Sequence, residues 1–377
     1  MSSMHLLTLL IHTPIRTERY TRLLRLLVIR VKQERQRKDR IRTIASLVEE
    51  YLKLTRYRVP YSIPKARFLW QNADPHDFHH SFRFEKADLV RLRKALRIPD
   101  IFVTEHRDRW LGEEALLLVL QMLAYPKRLF DLCQFWGRSA SVISRTNQQL
   151  VDMLYAKWKT TIHFDALRLD HAERSRHVAA VTQKGMPGML QIWGFIDGTV
   201  RPVARPQYFQ KHMYSGHHKV HGLKYQAACT PDGILVHTSI ALEGKRNDQA
   251  LLNSDPVRAY FEQSVPHRLF GDKGYNVKPF LVVPFKGAQL TADMRAFNEL
   301  CSTMRVCIEW QLGKVVTLWQ ALDWVRTQQV WLRPVAKSYY IAVLLTNVHT
   351  TMYGSQTADF FGCMPPTSEQ YLSHPDL

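Results

Sequence analysis

A chain of 377 residues with 46% hydrophobic content can form one large domain and a smaller one, each with its own core. Its 52 Lys and Arg against 33 Asp and Glu give a formal charge of +19, a surplus that attracts polyanions, of which nucleic acid is the commonest. Five cysteines with no C-x-x-C pair exclude a disulfide framework, and no apolar stretch approaches the length of a membrane span.

Residues 1–60 carry 14 Lys and Arg against 5 Asp and Glu, so +9 sits in the first sixth of the chain. The densest run, Lys32 to Arg42 (KQERQRKDRIR), reads as a nuclear-import signal, a phosphate-binding arm or a solvated helix face. The opening MSSMHLLTLLI lacks a positive segment and a small-residue cleavage site, so no signal peptide is expected. A soluble protein of the nucleus, or of the cytoplasm, is the expectation. After this basic helical arm, Pro60, Pro64 and Pro75 suggest a linker over 58–80. A helix over Phe84 to Arg97 places Leu89, Leu92 and Leu96 on one face. Together they give a linker-and-helix segment over 61–110.

Residues 111–185 read as an all-α, helix-turn-helix-like domain. One helix carries EEALLLVLQMLA and a second runs from about Arg128 to Phe135. A third follows Gly137-Arg138, with Ser139 or Ser141 as its N-cap. Arg138, Ser141 and Arg145, with Ser144, Asn147 and Gln148, are of types that touch phosphates and base edges. A plain helical bundle remains the alternative.

From 186 to 350 the pattern is mixed α/β. Gln191 to Asp197 is an apolar strand, and Val200 to Arg205 a possible second. Gly222 to Thr230 and Ile234 to Ala241 flank the turn signal Pro231-Asp232-Gly233. Asn247 and Asp248 can cap a helix to about Ser264. Arg268 to Phe270 is a short strand, and a long helix spans roughly Thr291 to Leu322. Residues 351–377 form a C-terminal tail.

Asp197 and Asp272 are expected to end buried strands, each beside a glycine that leaves room for a ligand. A carboxylate there is costly unless paired or metal-bound. On the long helix, Phe297, Cys301, Met304, Ile308, Leu312, Val315 and Trp319 form an apolar stripe. Beside it runs a polar stripe of Asn298, Ser302, Arg305 and Glu309, with Arg305 one turn from Glu309 and able to orient it. Carboxylates from two strands and a helix suit two Mg²⁺ ions, which take hard oxygen ligands and act on phosphodiesters. Lys211, Lys219 and Lys224 lie in KHMYSGHHKVHGLK. That segment reads as a basic DNA-tracking loop rather than a zinc site built on His217, His218 and His221.

Five blocks in order resemble those of the PIF/Harbinger DDE-type transposases and their nuclease-like relatives: GFIDGTVRPVARP, KYQAACTPDGILVH, EGKRNDQALL, LFGDKGY and FNELCSTMRVCIEWQLGKVV. The resemblance spans roughly Gly112 to Val348. It implies an RNase H-like catalytic domain, a mixed sheet flanked by helices, with Asp197, Asp272 and Glu309 as catalytic, metal-holding acids. It implies two Mg²⁺ or Mn²⁺ ions, cleavage at transposon ends, and attack by the freed 3′-hydroxyl on target DNA. It further suggests a Myb-like DNA-binding partner and a homo-oligomer on DNA. Relatives often carry His where Asn247 stands; Asp248, a supporting residue, is expected to cap the helix rather than bind metal. The alternative is a host-adopted DNA- or chromatin-binding scaffold that no longer cuts.

Overall fold

In the computed structural model the described residues are 68–376, preceded by residues 25, 26, 29 and 41–49. The chain divides into two compact units, Met1–Pro64 and Lys65–Leu377. In the first, the described residues are helical; most of the expected basic arm, including Lys32 to Arg40, lies outside them.

The second unit begins with α1 (Pro75–Phe82), where a linker was expected. Pro75 occupies the first helical position, which needs no N–H, and Asp74 caps the helix by accepting from the His76 amide at 2.8 Å. α2 (Leu89–Ala95) buries Leu89 and Leu92. A two-stranded hairpin of β1 (Ile101–Val103) and β2 (Arg109–Leu111) leads into α3 (Gly112–Ala124), which is buried on nearly all sides. α4 (Leu129–Trp136) ends at Gly137, whose left-handed φ of 59° suits glycine. Ser139 then caps α5 (Ala140–His163), a 24-residue helix packed on α3, α4 and the sheet. α6 (His171–Gln183), capped by Asp170, packs on the central strand.

That strand is β3 (Ile192–Pro202), and it pairs antiparallel with β5 (Val220–Cys229). β5 pairs antiparallel with β4 (Tyr214–Ser215), β7 (Leu242–Glu243) and β6 (Leu235–Thr238). On its other edge β3 pairs parallel with β8 (Arg268–Gly271), and β8 with β9 (Leu281–Val282). Three antiparallel strands followed by two parallel ones, flanked by helices, make an RNase H-like domain. The expected turn at Pro231-Asp232-Gly233 joins β5 to β6, with the Thr230 amide donating to the Ile234 carbonyl at 3.0 Å.

The expected single helix over 247–264 is two: α7 (Asp248–Ser254) and α8 (Arg258–Gln263). Thr291 caps α9 (Ala292–Leu318), whose stripe of Cys301, Met304, Ile308, Leu312 and Val315 is buried. α9 packs on β3, on α10 (Val335–Tyr353) and on α11 (Gln356–Phe361). Trp193, Phe195, Tyr225 and Phe270 fill the core, each such side chain contributing on the order of 1.5–3 kcal/mol through burial. All five cysteines are free and buried. Among the described residues, no helix is long and apolar enough to cross a membrane.

Candidate active site

Asp197 does not end its strand. β3 runs five residues further, and Asp197 lies opposite Ala227 of β5. What ends is its neighbour: Ile196 pairs with Gly271, the last residue of β8. Asp197 and Asp272 therefore each stand one step beyond the same register pair. Neighbouring strand positions in register face the same side, about 4.8 Å apart at the backbone. The expectation that Asp197 ends its strand mistakes the end of a neighbour for the end of β3.

Glu309 reaches the pair through Arg305. One nitrogen of that guanidinium donates to Asp197 Oδ2 at 3.1 Å, and the other meets Glu309 Oε1 at 2.6 Å. Arg305 thus bridges a strand acid and a helix acid. Asp197 Oδ1 also accepts from the Gly198 amide at 2.9 Å, and Asp272 accepts from the Gly274 amide at 2.8 Å. A cavity of about 270 Å³ opens beside Asp272, lined by Arg305, Ser302 and Asn298. Three members of the polar stripe on α9 thus face the cleft.

A fourth acid joins them. Asn247, not Asp248, caps α7, accepting from the Ala250 amide at 2.8 Å. That corrects the expectation that Asp248 is the cap. Its carboxylate is turned to Gly198 so closely that a Cβ built there would lie 1.8 Å from Oδ1. Asp248 pairs with Lys224 at 3.0 Å. Glycine at 198 is therefore the residue that lets two acids share one patch of strand.

Crowding shows in the titration of Asp197. Burial raises its carboxyl, Asp272 and Asp248 add to the rise, and Arg305 with the Gly198 amide offsets part of it; the result is about 6. Beneath the cluster, buried Tyr275 accepts from Gln226 Nε2 at 2.7 Å. Burial, then the charges of Asp248 and Asp197, push its hydroxyl well above the ordinary tyrosine range. Clustered oxygen donors, one of them hard to ionise without a counter-charge, fit a hard divalent cation. Asp197, Asp272 and Glu309, with Asp248 adjacent, are the side chains that would hold it.

The other expected site residues lie elsewhere. Lys224 is buried on β5 and paired with Asp248, whereas Lys211 and Lys219 are exposed on the segments around β4. Arg145 pairs with Asp108 at 2.9 Å. Arg138 sits over the Trp110 ring at 5.0 Å and donates to the Arg109 carbonyl at 3.1 Å. Ser141 Oγ lies 3.1 Å from Ser139 Oγ. Ser144, Asn147 and Gln148 line a pocket that Arg333 and Ser338 close from the other side. On the helix expected to meet DNA, Arg145 is thus paired within the protein, while Ser144 and Gln148 stay exposed.

Among the described residues, the group of potential ligands whose atoms all lie within 4.8 Å of one another is a different one, Glu173, His177 and Asp232. The pattern on α6, Glu-x-x-x-His, was the available signal, but its third member lies at the β5–β6 turn. Arg176 meets Glu173 at 2.6 Å, and Arg168 meets Asp232 at 3.3 Å. Burial would raise the Asp232 carboxyl, but His177 and Arg168 outweigh it and hold it well below the carboxylate range. Two guanidiniums already pair with this cluster, so it also has the composition of a buried ion-pair network. His217 and His218 touch only ring to ring, 4.9 Å apart, and His221 contacts Tyr214.

Residues 196–347 match the family model described as DDE superfamily endonuclease, a span that takes in Asp197, Asp272 and Glu309. No curated protein and no solved structure matches the chain. Over that segment the chain is similar to DDE superfamily endonucleases, a class whose chemistry is the divalent-metal cleavage of DNA.

Proposed function

We propose that this protein is a metal-dependent DNA endonuclease and transposase of the PIF/Harbinger type. It cuts phosphodiesters at transposon ends and joins the freed 3′-hydroxyl to target DNA. The observation that carries the reading is the register that sets Asp197 beside Asp272, with Glu309 tied to Asp197 through Arg305. Asp197, Asp272 and Glu309 hold the metal; Mg²⁺ or Mn²⁺, as a pair of ions, would supply the activated water and shield the leaving oxygen. Arg305 keeps Asp197 and Glu309 oriented toward each other and limits their repulsion. Asp248 and Lys224 brace the floor of the site at Gly198.

Lys211 and Lys219 track DNA phosphates in this reading, and the basic surplus of residues 1–60 adds affinity that falls with salt. Nuclear location, a Myb-like partner and a homo-oligomer on DNA belong to the same proposal. So does the division into a basic arm, a linker, a helical domain, the nuclease domain and a tail. The second reading, a DNA-binding scaffold that no longer cuts, is favoured by one observation: Arg305 already satisfies two of the three acids.

The test is a plasmid carrying the element's own terminal repeats, incubated with the full chain, its DNA-binding partner and Mg²⁺. Nicking or excision that chelation stops, and that Asp197→Asn, Asp272→Asn and Glu309→Gln each abolish while DNA binding persists, is expected. Sustained binding with no cleavage in Mg²⁺ or Mn²⁺ hands the case to the scaffold reading.

A further inference from the structure

We propose that the pocket between Pro206–Met213 and Val330–Trp331 is a stacking site for an unpaired nucleobase of the DNA strand held at the acid cluster. The proposal rests on the nuclease reading above. The pocket has a volume of about 380 Å³ and is walled by Phe209, Met213, Val330 and Trp331, with Glu243 and His212 at its polar side. Its two rings are left largely in water: Phe209 is 66% exposed and Trp331 62%. Their centroids are 6.4 Å apart, and the rings are inclined at 48°.

Phe209 is also held against its conformational preference. It starts a single helical turn, Gln210–Met213, at φ 59° and ψ 28°, a left-handed conformation that bulky residues rarely adopt. The amides of His212 and Met213 donate to its carbonyl at 3.0 and 3.1 Å and hold it there. A strained backbone that turns an aromatic ring into solvent calls for an occupant.

Charge identifies the occupant. Arg205, Lys211, Lys245 and Arg333 are all exposed on the segments that form the pocket. The core of a protein–protein interface is depleted in charge, whereas aromatic platforms set among cations are how single-stranded nucleic acid is held.

Connectivity joins the pocket to the acids. Glu243 lies on β7 beside Lys224 and Leu223 of β5, and the same loop reaches Asp248. The Lys245 amide donates to the His212 carbonyl at 3.1 Å, tying that loop to the pocket. Asp248 follows Glu243 by five chain steps, so their backbones lie at most about 17 Å apart. At about 3.4 Å of rise per nucleotide, the captured base falls within about five nucleotides of the phosphate at the acids. Stacking on a ring strengthens binding by roughly 5- to 150-fold per base.

The experiment uses the full chain without divalent metal, so that nothing is cut. Duplexes with a single-stranded extension carry 2-aminopurine at successive positions from one to eight, beside a fully paired control. Quenching should peak at one position within five nucleotides of the junction. Trp331→Ala should abolish the quenching and weaken extended DNA by roughly 5- to 150-fold, with little change on the paired control. Phe209→Ala should act alike, and Phe209→Trp should restore binding if the ring is what matters. Equal weakening on both DNAs, or none on either, overturns the proposal and leaves the nuclease reading standing. So does a dimer that Trp331→Ala dissociates without DNA, which would mark a self-association surface. A protein that binds neither DNA overturns the nuclease reading and the pocket with it.

Discussion

Replacing Asp197 by Asn should stabilise the metal-free protein, by an amount that pH controls. In the fold, Asp197 titrates at about 6 against an ordinary 3.8. The difference corresponds to about 3 kcal/mol. The folded value lies above the unfolded one, so the fold favours the neutral acid. The wild type keeps its full stability below about pH 4, loses this contribution as pH rises through 6, and is level above that. Asn has no such charge, and its single carbonyl oxygen keeps one of the two bonds that Oδ1 and Oδ2 accept from the Gly198 amide and Arg305. Unfolding a unit of about 310 residues carries an entropy of roughly 0.65 kcal/mol/K at the midpoint. The gain in Tm should therefore be near zero at pH 4 and up to about 4–5 °C at pH 7. Melting curves in chelator across pH 4–8 measure it. Adding Mg²⁺ at pH 7 should then raise the Tm of the wild type and leave the variant nearly unmoved, since only a protein that binds the ion is stabilised by it. A variant less stable than wild type at pH 7, or a difference that ignores pH, would refute the claim that Asp197 is a buried charge awaiting a counter-ion.

Gly198→Ala puts a methyl into the Asp248 carboxylate and should cost about 1–3 kcal/mol. The loss should largely vanish in the double variant with Asp248→Ala, and a denaturant double-mutant cycle that shows simple additivity would contradict the contact. Asp232→Asn removes a fully buried carboxylate from Arg168, Arg176 and His177, with an expected loss of about 3–5 kcal/mol that added metal does not change. A loss under about 1 kcal/mol, or one that metal reverses, would reopen the metal reading of that cluster. Arg145→Ala breaks the pair with Asp108 and should lower Tm while leaving the salt dependence of DNA binding intact. A shallower salt slope would show instead that Arg145 touches phosphate.

The sequence is informative where local pattern decides the structure. Pro231-Asp232-Gly233 is legible as a hairpin because its turn signal is local, a left-handed glycine and an aspartate that accepts from the Ile234 amide, whereas the ion pairs of Asp232 with Arg168, Arg176 and His177 are not. The stripe on α9 is legible because a helix buries one face. Errors arise where the partner is distant. Gly198 looks like the end of a strand, yet it is there for Asp248, 50 residues on. Arg145 has the chemistry of a phosphate contact, and nothing local shows that it also pairs with Asp108 on the hairpin before it. The same holds for Phe209 and Trp331, which lie far apart in the chain and meet only in the fold. Charge type is visible in a sequence; whether a charge is already satisfied is a property of packing.

The most direct test of the central claim is a crystal of the metal-loaded protein examined by anomalous scattering from Mn²⁺. Peaks within coordination distance of Asp197, Asp272 and Glu309, accompanied by withdrawal of Arg305 from at least one acid, are predicted. Manganese bound between Glu173, His177 and Asp232, with none at Asp197, would contradict it.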